Sequence, residues 1–368
     1  MSLNGFLTLL LPTGMIPVWM MLRIRFIRGI YLEETNISEL YMGNFTSVEK
    51  EFNKRVQPEI DIILKQNINN PNQQAVQAQV NDVISNTLKA MRIEQMNSIR
   101  AITGRNIICY ISSWLQSSSG NSELSITDND MNGLMNAVSG IENRKEGLDL
   151  LIHSPGGGVT ATESIVNYLR KMFDKDIRVI VPHMAMSAGT MIACSSKEII
   201  MGKQSSLGPI DPQYHNVPAQ GVLKEFERAL QETVLEPNKA LIWREIIQQY
   251  RPTFVGECEN AVKLSRGLVE DWLLDCMFEN DQDKKHKVDS ILDELASHDA
   301  SKVHDRHYDY MKCKELGLKV TPLEDNQELQ EAVLSLHHCY LLSIYRLPSA
   351  LKFVENHNGQ SLIVNGQR

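Results

Sequence analysis

Apolar runs alternate with amphipathic segments through the middle of this chain. Four runs rich in β-branched residues predict buried strands at residues 107–112, 148–153, 178–183 and 197–202. The segments between them place apolar residues at spacings of three and four, which is the period of a helix packed on one face. Near-continuous apolar strands that alternate with helices are typical of a parallel sheet covered on both faces. We therefore expect an α/β fold.

Helical patterns flank the predicted sheet on both sides. Residues 46–105 are predicted to be helical, because the apolar positions between residues 74 and 96 recur every three or four residues. A long amphipathic helix is predicted at residues 327–345, and the tail after Asn356 is expected to be loosely held. The chain therefore divides into an apolar N-terminal segment at 1–45, a helical region at 46–105, an α/β domain at 106–322, and a C-terminal helix and tail at 323–368.

The N-terminal segment leaves contact with a membrane open. Residues 5–22 carry almost no charge and are about long enough to cross a bilayer, although two prolines and Gly14 interrupt them. Three arginines follow between residues 23 and 28. If the segment spans a membrane, the positive-inside rule leaves the rest of the chain in the cytoplasm, anchored to the inner face. The alternatives are a buried or peripheral hairpin-like segment and an extension that does not fold.

Composition and charge narrow the function classes. The 368 residues carry a formal net charge of −8, whereas nucleic-acid binding calls for a basic face, so we predict no nucleic-acid partner. The six cysteines lack CxxC spacing, which favours reduced thiols in a cytosolic compartment over disulfides or a zinc site. The glycines form no P-loop or dinucleotide-binding motif. We therefore expect no metal and no cofactor.

Two turns of small residues carry the candidate chemistry. Residues 154–158 (SPGGG) follow the second predicted strand, and residues 185–189 (AMSAG) follow the third. Small residues around Ser187 suit a sharp strand-to-helix elbow that exposes a nucleophilic hydroxyl. The glycine run leaves the N–H of Gly157 accessible to a carbonyl oxygen, and the N–H of Ala188 is a second candidate donor. The alternatives are that Ser187 is a helix N-cap and that the glycines form an ordinary turn.

Residues 148–213 resemble a known group of serine peptidases. HSPGG at His153, VPHMAMSAGT at Val181 and LGPIDPQ at Leu207 are similar to motifs of the serine dehydrogenase proteinase family. The stretch also resembles the Clp protease proteolytic subunit and signal peptide peptidase A. The resemblance implies a ClpP/crotonase-like parallel sheet flanked by helices. It also implies Ser187 as the nucleophile, with Gly157 and Ala188 as the oxyanion hole.

The resemblance leaves the general base open among three assignments, because Asp211 stands where Clp-type subunits carry a histidine. In the first assignment His304 is the base and Asp211 orients its imidazole, since a triad is defined by geometry and not by chain order. In the second, His215 is the base and Asp305 the acid. In the third, a buried lysine is the base, and the candidates are Lys203, Lys224, Lys239 and Lys263. Asp211 as a turn residue before proline and His304 in a solvated loop are the structural alternatives.

The resemblance predicts a serine endopeptidase that hydrolyses peptide bonds through an acyl-enzyme. Its expected partners are peptide or unfolded-protein substrates and further copies of the same chain. Residues 329–345 are apolar enough either to contact another subunit or to pack on their own core. The chain has no ATPase motif, so any ATP dependence would need a partner. A crotonase-fold acyl-CoA-type enzyme and a catalytically silent oligomeric scaffold remain as alternative functions.

Overall fold

A computed structural model describes residues 44–68, 70–117, 121–214 and 217–366. The α-helices in these ranges are α1 (Phe45–Gln66), α2 (Gln73–Thr103), α3 (Asp130–Ser139), α4 (Val159–Met172), α5 (Ala188–Cys194), α6 (Ala219–Leu235), α7 (Ala240–Ile247), α8 (Phe254–Trp272), α9 (Lys284–Leu295), α10 (His298–Ser301), α11 (Tyr310–Glu315) and α12 (Gln327–Arg346). A π-helical turn at Leu273–Met277 continues α8.

The strands are mostly short. They are β1 (Asn106–Ser112), β2 (Leu148–His153), β3 (Ile177–Val181), β4 (Met184–Ala185), β5 (Glu198–Met201), β6 (Ser206–Leu207), β7 (Gln213–Tyr214), β8 (Val217–Pro218), β9 (Tyr308–Asp309), β10 (Val320–Pro322), β11 (Ala350–Asn356) and β12 (Ser361–Asn365). Short 3-10 segments lie at Trp114–Gln116, Ser122–Leu124, Arg144–Glu146, Pro237–Lys239 and Leu323–Asp325.

A seven-stranded sheet forms the centre of the described chain. Its strand order is β10-β5-β3-β2-β1-β11-β12, and the first five of these strands are mutually parallel. β11 is antiparallel to β1, β12 is antiparallel to β11, and the two extend the sheet at one edge. The α/β prediction with a parallel core flanked by helices is therefore confirmed.

Alternate residues of the central strands enter two separate apolar cores. Ile108, Leu150 and Val179 face one core, which the helices α3, α4, α5, α8 and α9 cover. The intervening residues Leu151 and Ile180 face the other, which α2 and α12 cover. Burial on both faces explains why these strands are apolar at nearly every position.

Capping residues set the ends of the two N-terminal helices. Asn44 accepts a hydrogen bond from the N–H of Ser47 at the start of α1, at 3.0 Å. Asn72 accepts one from the N–H of Ala75 at the start of α2, at 3.1 Å. The second helix ends at Gly104, whose φ of +68° suits a residue without a side chain. The two helices occupy the region that the sequence predicts to be helical.

Helix α12 lies between the sheet and the N-terminal helices. Leu336 and Tyr340 pack in the core that contains Leu151 and Ile180 of the sheet. Cys339 and Leu342 pack against α1 and α2 on the other side. Most of the apolar surface of this helix is therefore used within its own chain, as the packing alternative expects.

The C-terminal tail is part of the sheet, so the expectation of a loosely held tail is wrong. Strand β12 pairs with β11, with Leu362 opposite Val354. The turn between them is fixed by Asn356, whose side chain accepts hydrogen bonds from the N–H groups of Asn358 and Gln360 at 2.9 and 3.0 Å. Buried Asn356 thus turns the chain back into the sheet.

The remaining predictions on this scale concern the cysteines and the membrane segment. All six cysteines are free and buried, as expected for reduced thiols. Among the helices that the structure describes, none combines the length and apolarity needed to cross a bilayer. Residues 5–22, on which the anchoring hypothesis rests, lie outside the described residues.

Candidate active site

The two small-residue turns lie against each other. Ser154 and Ala185 form a parallel bridge, in which Ser154 N–H donates to Met184 C=O at 3.1 Å. A Cβ added to Gly156 would lie 2.7 Å from the Cβ of Ser187 and 3.0 Å from the backbone N of Ala188. With its φ of +103°, Gly156 also adopts a conformation that side-chain-bearing residues rarely take. The glycine turn and the serine turn therefore enclose a common space.

Ser187 occupies a strained elbow between β4 and α5. Its φ is +51° and its ψ is −115°, which is unusual for a residue with a side chain. Met186 and Ala188 on either side are buried, whereas Ser187 is partly exposed. Its side chain does not cap the helix and makes no hydrogen bond to any described residue. Ser187 thus occupies the N-cap position of α5, but its partly exposed hydroxyl does not make the capping hydrogen bond that the N-cap alternative requires.

Two backbone amides of these turns have no hydrogen-bond partner among the described residues. Ile126 N–H donates to Gly156 C=O at 2.7 Å, and Gly158 N–H donates to Ile126 C=O at 2.9 Å. Those groups point towards Ile126, so the N–H of Gly157 between them points the opposite way. Ala188 begins α5, where an N–H has no partner within the helix. Within the described part of the chain neither amide donates a hydrogen bond, so both can receive an oxyanion.

A second, three-stranded sheet brings the candidate side chains to one edge. β4 and β6 are parallel, and β9 is antiparallel to β6. The ends of β4 and β6 and the beginning of β9 therefore meet at the same edge. Ser187 lies two residues after β4, Asp211 four residues after β6, and His304 four residues before β9.

Asp211 and His304 are in direct contact at this edge. His304 Nδ1 lies 2.8 Å from Asp211 Oδ1, and the carboxylate is buried. The contact uses Nδ1, which leaves Nε2 of the partly exposed imidazole to exchange a proton. These two residues are the ones that the first assignment combines.

A second histidine lies beside the same carboxylate, and sequence reasoning missed it. His298 Nδ1 is 3.3 Å from Asp211 Oδ2, but the two atoms do not form a hydrogen bond. Asp211 is thus flanked by two imidazoles, of which only that of His304 is hydrogen-bonded to it. No sequence motif singles out His298. The helix α10 that carries it has only four residues, too few to show a periodic pattern.

Thr190 connects the serine elbow to the segment that carries Asp211. Its hydroxyl donates to Ala185 C=O at 2.8 Å and accepts from Gly208 N–H at 2.9 Å. Ala185 is the last residue of β4, and Gly208 follows β6 directly. The elbow and the Asp211 segment are consequently held in one register.

The other base candidates have less support from the geometry. His215 lies outside the described residues, and Asp305 is exposed. The lysines Lys203, Lys224 and Lys263 are also exposed. Hydrogen bonding to Glu236 raises the pKa of Lys239, whereas a lysine base needs a lowered pKa.

A cluster of histidines lies where β2 and β3 end. The His153 ring stacks on His183, with ring centroids 5.4 Å apart, and meets His337 edge-on at 5.5 Å. Burial lowers the pKa of His153 to about 4 and that of His337 well below its usual value. Both rings are therefore neutral at pH 7. Among the described residues no cluster of three or more histidine, cysteine or carboxylate side chains has the geometry of a metal site.

The sequence matches one family model and two uncharacterized archaeal proteins. A family model described as ClpP-like SDH-type serine proteinase matches residues 123–356. The uncharacterized protein MJ0137 of Methanocaldococcus jannaschii is 42% identical over 103 residues, which cover 28% of this chain and 35% of that protein. The uncharacterized protein MJ1495 of the same organism is 32% identical over 173 residues, which cover 47% of this chain and 51% of that protein. The chain thus spans about half of one relative and about a third of the other.

Proposed function

Because the chain belongs to the ClpP-like SDH-type serine proteinase family, we propose that it is a serine endopeptidase with Ser187 as the nucleophile. His304 is the general base in this proposal, and Asp211 orients its imidazole. Gly157 and Ala188 donate their N–H groups to the oxyanion. The family supports the reaction class. The geometry of the two turns supports the roles of Ser187, Gly157 and Ala188, and the contact between His304 and Asp211 supports theirs.

The proposed reaction proceeds in two halves. Ser187 Oγ attacks the scissile carbonyl carbon while His304 Nε2 takes the hydroxyl proton, and the oxyanion accepts hydrogen bonds from Gly157 and Ala188. The C–N bond then breaks, and His304 returns the proton to the leaving amine. A water molecule attacks the acyl-enzyme with His304 again as base, which releases the carboxylic acid product and restores the Ser187 hydroxyl.

One observation carries the proposal. The Cα of Gly156 is so near Ser187 that an added Cβ would lie 2.7 Å from the serine Cβ. This close approach supports the proposal that a carbonyl attacked by the Ser187 hydroxyl would place its oxygen near the amides of the same two turns. Acyl transfer needs a nucleophilic hydroxyl beside preformed amide donors.

The test compares the wild-type protein with Ser187→Ala. We expect a fluorophosphonate probe to label the wild type on the peptide that contains Ser187, and unfolded casein to be hydrolysed. Ser187→Ala should lose both activities, whereas Ser98→Ala, on an outer helix, should keep them. A wild-type protein that is neither labelled nor active would contradict the proposal and favour the scaffold. Acyl-CoA turnover that survives Ser187→Ala would favour the crotonase-like alternative.

We further propose that the substrates are peptides or unfolded segments and that the active form is a homo-oligomer. ClpP-like proteases generally act as oligomers on peptide substrates. Sedimentation velocity of the full chain tests the second part: a species of one subunit that retains full peptidase activity would contradict it.

A further inference from the structure

A short segment of backbone packs against the glycine turn. We call residues 124–127 the clamp segment. Two backbone hydrogen bonds join its Ile126 to Gly156 and Gly158, at 2.7 and 2.9 Å. A Cβ on Gly157 would lie 2.3 Å from the backbone N and O of Ile126. The clamp segment and the glycine turn are therefore in close contact at Gly157, whose N–H is a candidate oxyanion donor. The position of the Gly157 amide therefore follows the position of the clamp segment.

The clamp segment is in turn anchored by a buried ion pair. Lys352 Nζ donates to Ser125 C=O at 2.9 Å and forms a salt bridge with Asp130. Asp130 Oδ2 accepts from the N–H of Thr127 at 2.8 Å and from the hydroxyl of Tyr110 at 2.9 Å. The side chains of Lys352 and Asp130 are both 0% exposed. The ion pair thus holds the backbone on both sides of Ile126.

Stability alone does not account for a charged pair at this place. Taking two charges out of water costs several kcal/mol per ion, and apolar residues of similar volume often give an equally stable or more stable protein. Apolar residues cannot, however, bind the carbonyl of Ser125 or the N–H of Thr127. What the ion pair adds over an apolar pair is a fixed position for the clamp segment.

We propose that Lys352 and Asp130 are positioning residues for the oxyanion hole, acting through the clamp segment on the amide of Gly157. The proposal rests on the proposed peptidase function. Neither residue contacts the reacting atoms. Their effect is on the alignment of one amide with the developing oxyanion, where a displacement of about 1 Å costs on the order of 100-fold in rate.

The test is the paired substitution Lys352→Met with Asp130→Asn, which removes both charges together. We expect kcat for a peptide substrate, and the rate of fluorophosphonate labelling at Ser187, to fall about 10- to 100-fold, because one oxyanion donor is misplaced. KM should stay within about threefold, since ground-state contacts are kept. A merely structural role would leave the kcat of the folded fraction unchanged.

A matched control comes from the other buried ion pair on the same strand. Arg92, on α2, and Glu355, on β11, are also almost fully buried. Glu355 lies on the opposite face of β11 from Lys352, and the side-chain hydrogen bonds of this pair go to residues outside the clamp segment. Arg92→Met with Glu355→Gln should therefore cost stability without the loss in kcat of the folded protein. If the Lys352 and Asp130 variant keeps wild-type kcat, or if the control loses as much, the proposal is overturned.

A milder variant keeps the proposal testable if the paired substitution does not fold. Tyr110→Phe removes one hydrogen bond to Asp130 and leaves the salt bridge, so kcat should fall about threefold or more at unchanged KM. An unchanged kcat would overturn the positioning role. Labelling of the wild type separates the two proposals: no labelling means that the peptidase function fails, whereas equal labelling of wild type and variants means that only the positioning role fails.

Discussion

Gly157 and Gly158 are adjacent residues, yet only one of them has room for a side chain. A Cβ on Gly157 would lie 2.3 Å from backbone atoms of Ile126, whereas one on Gly158 would meet its nearest neighbour at 3.6 Å. Gly157→Ala must push the clamp segment and the glycine turn apart. We expect kcat to fall by about 100- to 1000-fold, the usual cost of losing one oxyanion donor.

Gly158→Ala is the matched control for this prediction. Gly158 has φ −66° and ψ +128°, which alanine adopts readily, and its N–H bond to Ile126 is kept. Steady-state kinetics of the two variants with one peptide substrate should separate them by at least an order of magnitude. Equal losses would mean that the turn responds to any side chain and that Gly157 has no special place in it.

The two histidines beside Asp211 are predicted to differ in their effect on the rate. His304 is hydrogen-bonded to the carboxylate, while His298 approaches its other oxygen without a hydrogen bond. His304→Ala should therefore lower kcat by about 100-fold or more, the contribution expected of a general base. His298→Ala should change kcat by less than about tenfold. The reverse order, measured with the same peptide, would assign the base to His298.

Whether a functional residue can be predicted from the sequence depends on how far apart along the chain it and its interaction partners lie. Ser187 and Gly157 stand in short motifs with their chemistry nearby, so the sequence alone selects them. Lys352 and Asp130 are 222 residues apart and belong to no motif. Nothing along the chain indicates that they pair, because their contact exists only once β11 has entered the sheet.

At the scale of elements, one hydroxyl couples the two parallel strands of the small sheet. The Thr190 side chain is bonded to Ala185 on one side and Gly208 on the other. Thr190→Val keeps the shape but leaves a buried C=O and a buried N–H without their partner. We expect the free energy of unfolding to fall by about 1–3 kcal/mol. Activity should fall as well, because the segment that carries Asp211 loses its register with the elbow.

Thr190→Ser is the control, since it keeps the hydroxyl and removes only a methyl group. Urea denaturation and peptide hydrolysis should both show the serine variant nearer to the wild type than the valine variant. If valine is tolerated as well as serine, the register of the small sheet depends on other contacts.

The strands that can be predicted from the sequence are those with a long run of apolar residues. β1, β2, β3 and β5 each bury nearly every residue and agree with the predicted strands to within a few positions. β4, β6 and β9 have two residues each, too few to show a period. β11 was missed for a different reason. Three polar residues, Lys352, Glu355 and Asn356, interrupt its apolar run. They can be buried in a strand because partners elsewhere in the fold bind their charges and amide.

At the scale of the whole molecule, the buried histidine cluster makes stability depend on pH. Burial holds the pKa of His153 at about 4, below the ordinary value of 6.5 that applies to the unfolded chain. Between these two values the unfolded chain binds a proton at this site and the folded protein does not. The free energy of unfolding therefore decreases as the pH falls from 6.5 towards 4. For His153 alone the full loss is on the order of 3 kcal/mol.

Urea denaturation at several pH values between 7.5 and 5.5, above the range where most carboxylates titrate, measures this slope. Burial also lowers the pKa values of His183, His337 and His338, so all four rings contribute in the same direction. His153→Asn should lower stability at pH 7.5 but flatten the slope, because one proton fewer is taken up on unfolding. His286→Asn is the control for the substitution itself, since that side chain is 83% exposed and lies outside the cluster. If both variants keep the wild-type slope, the buried cluster is not the source of the pH dependence.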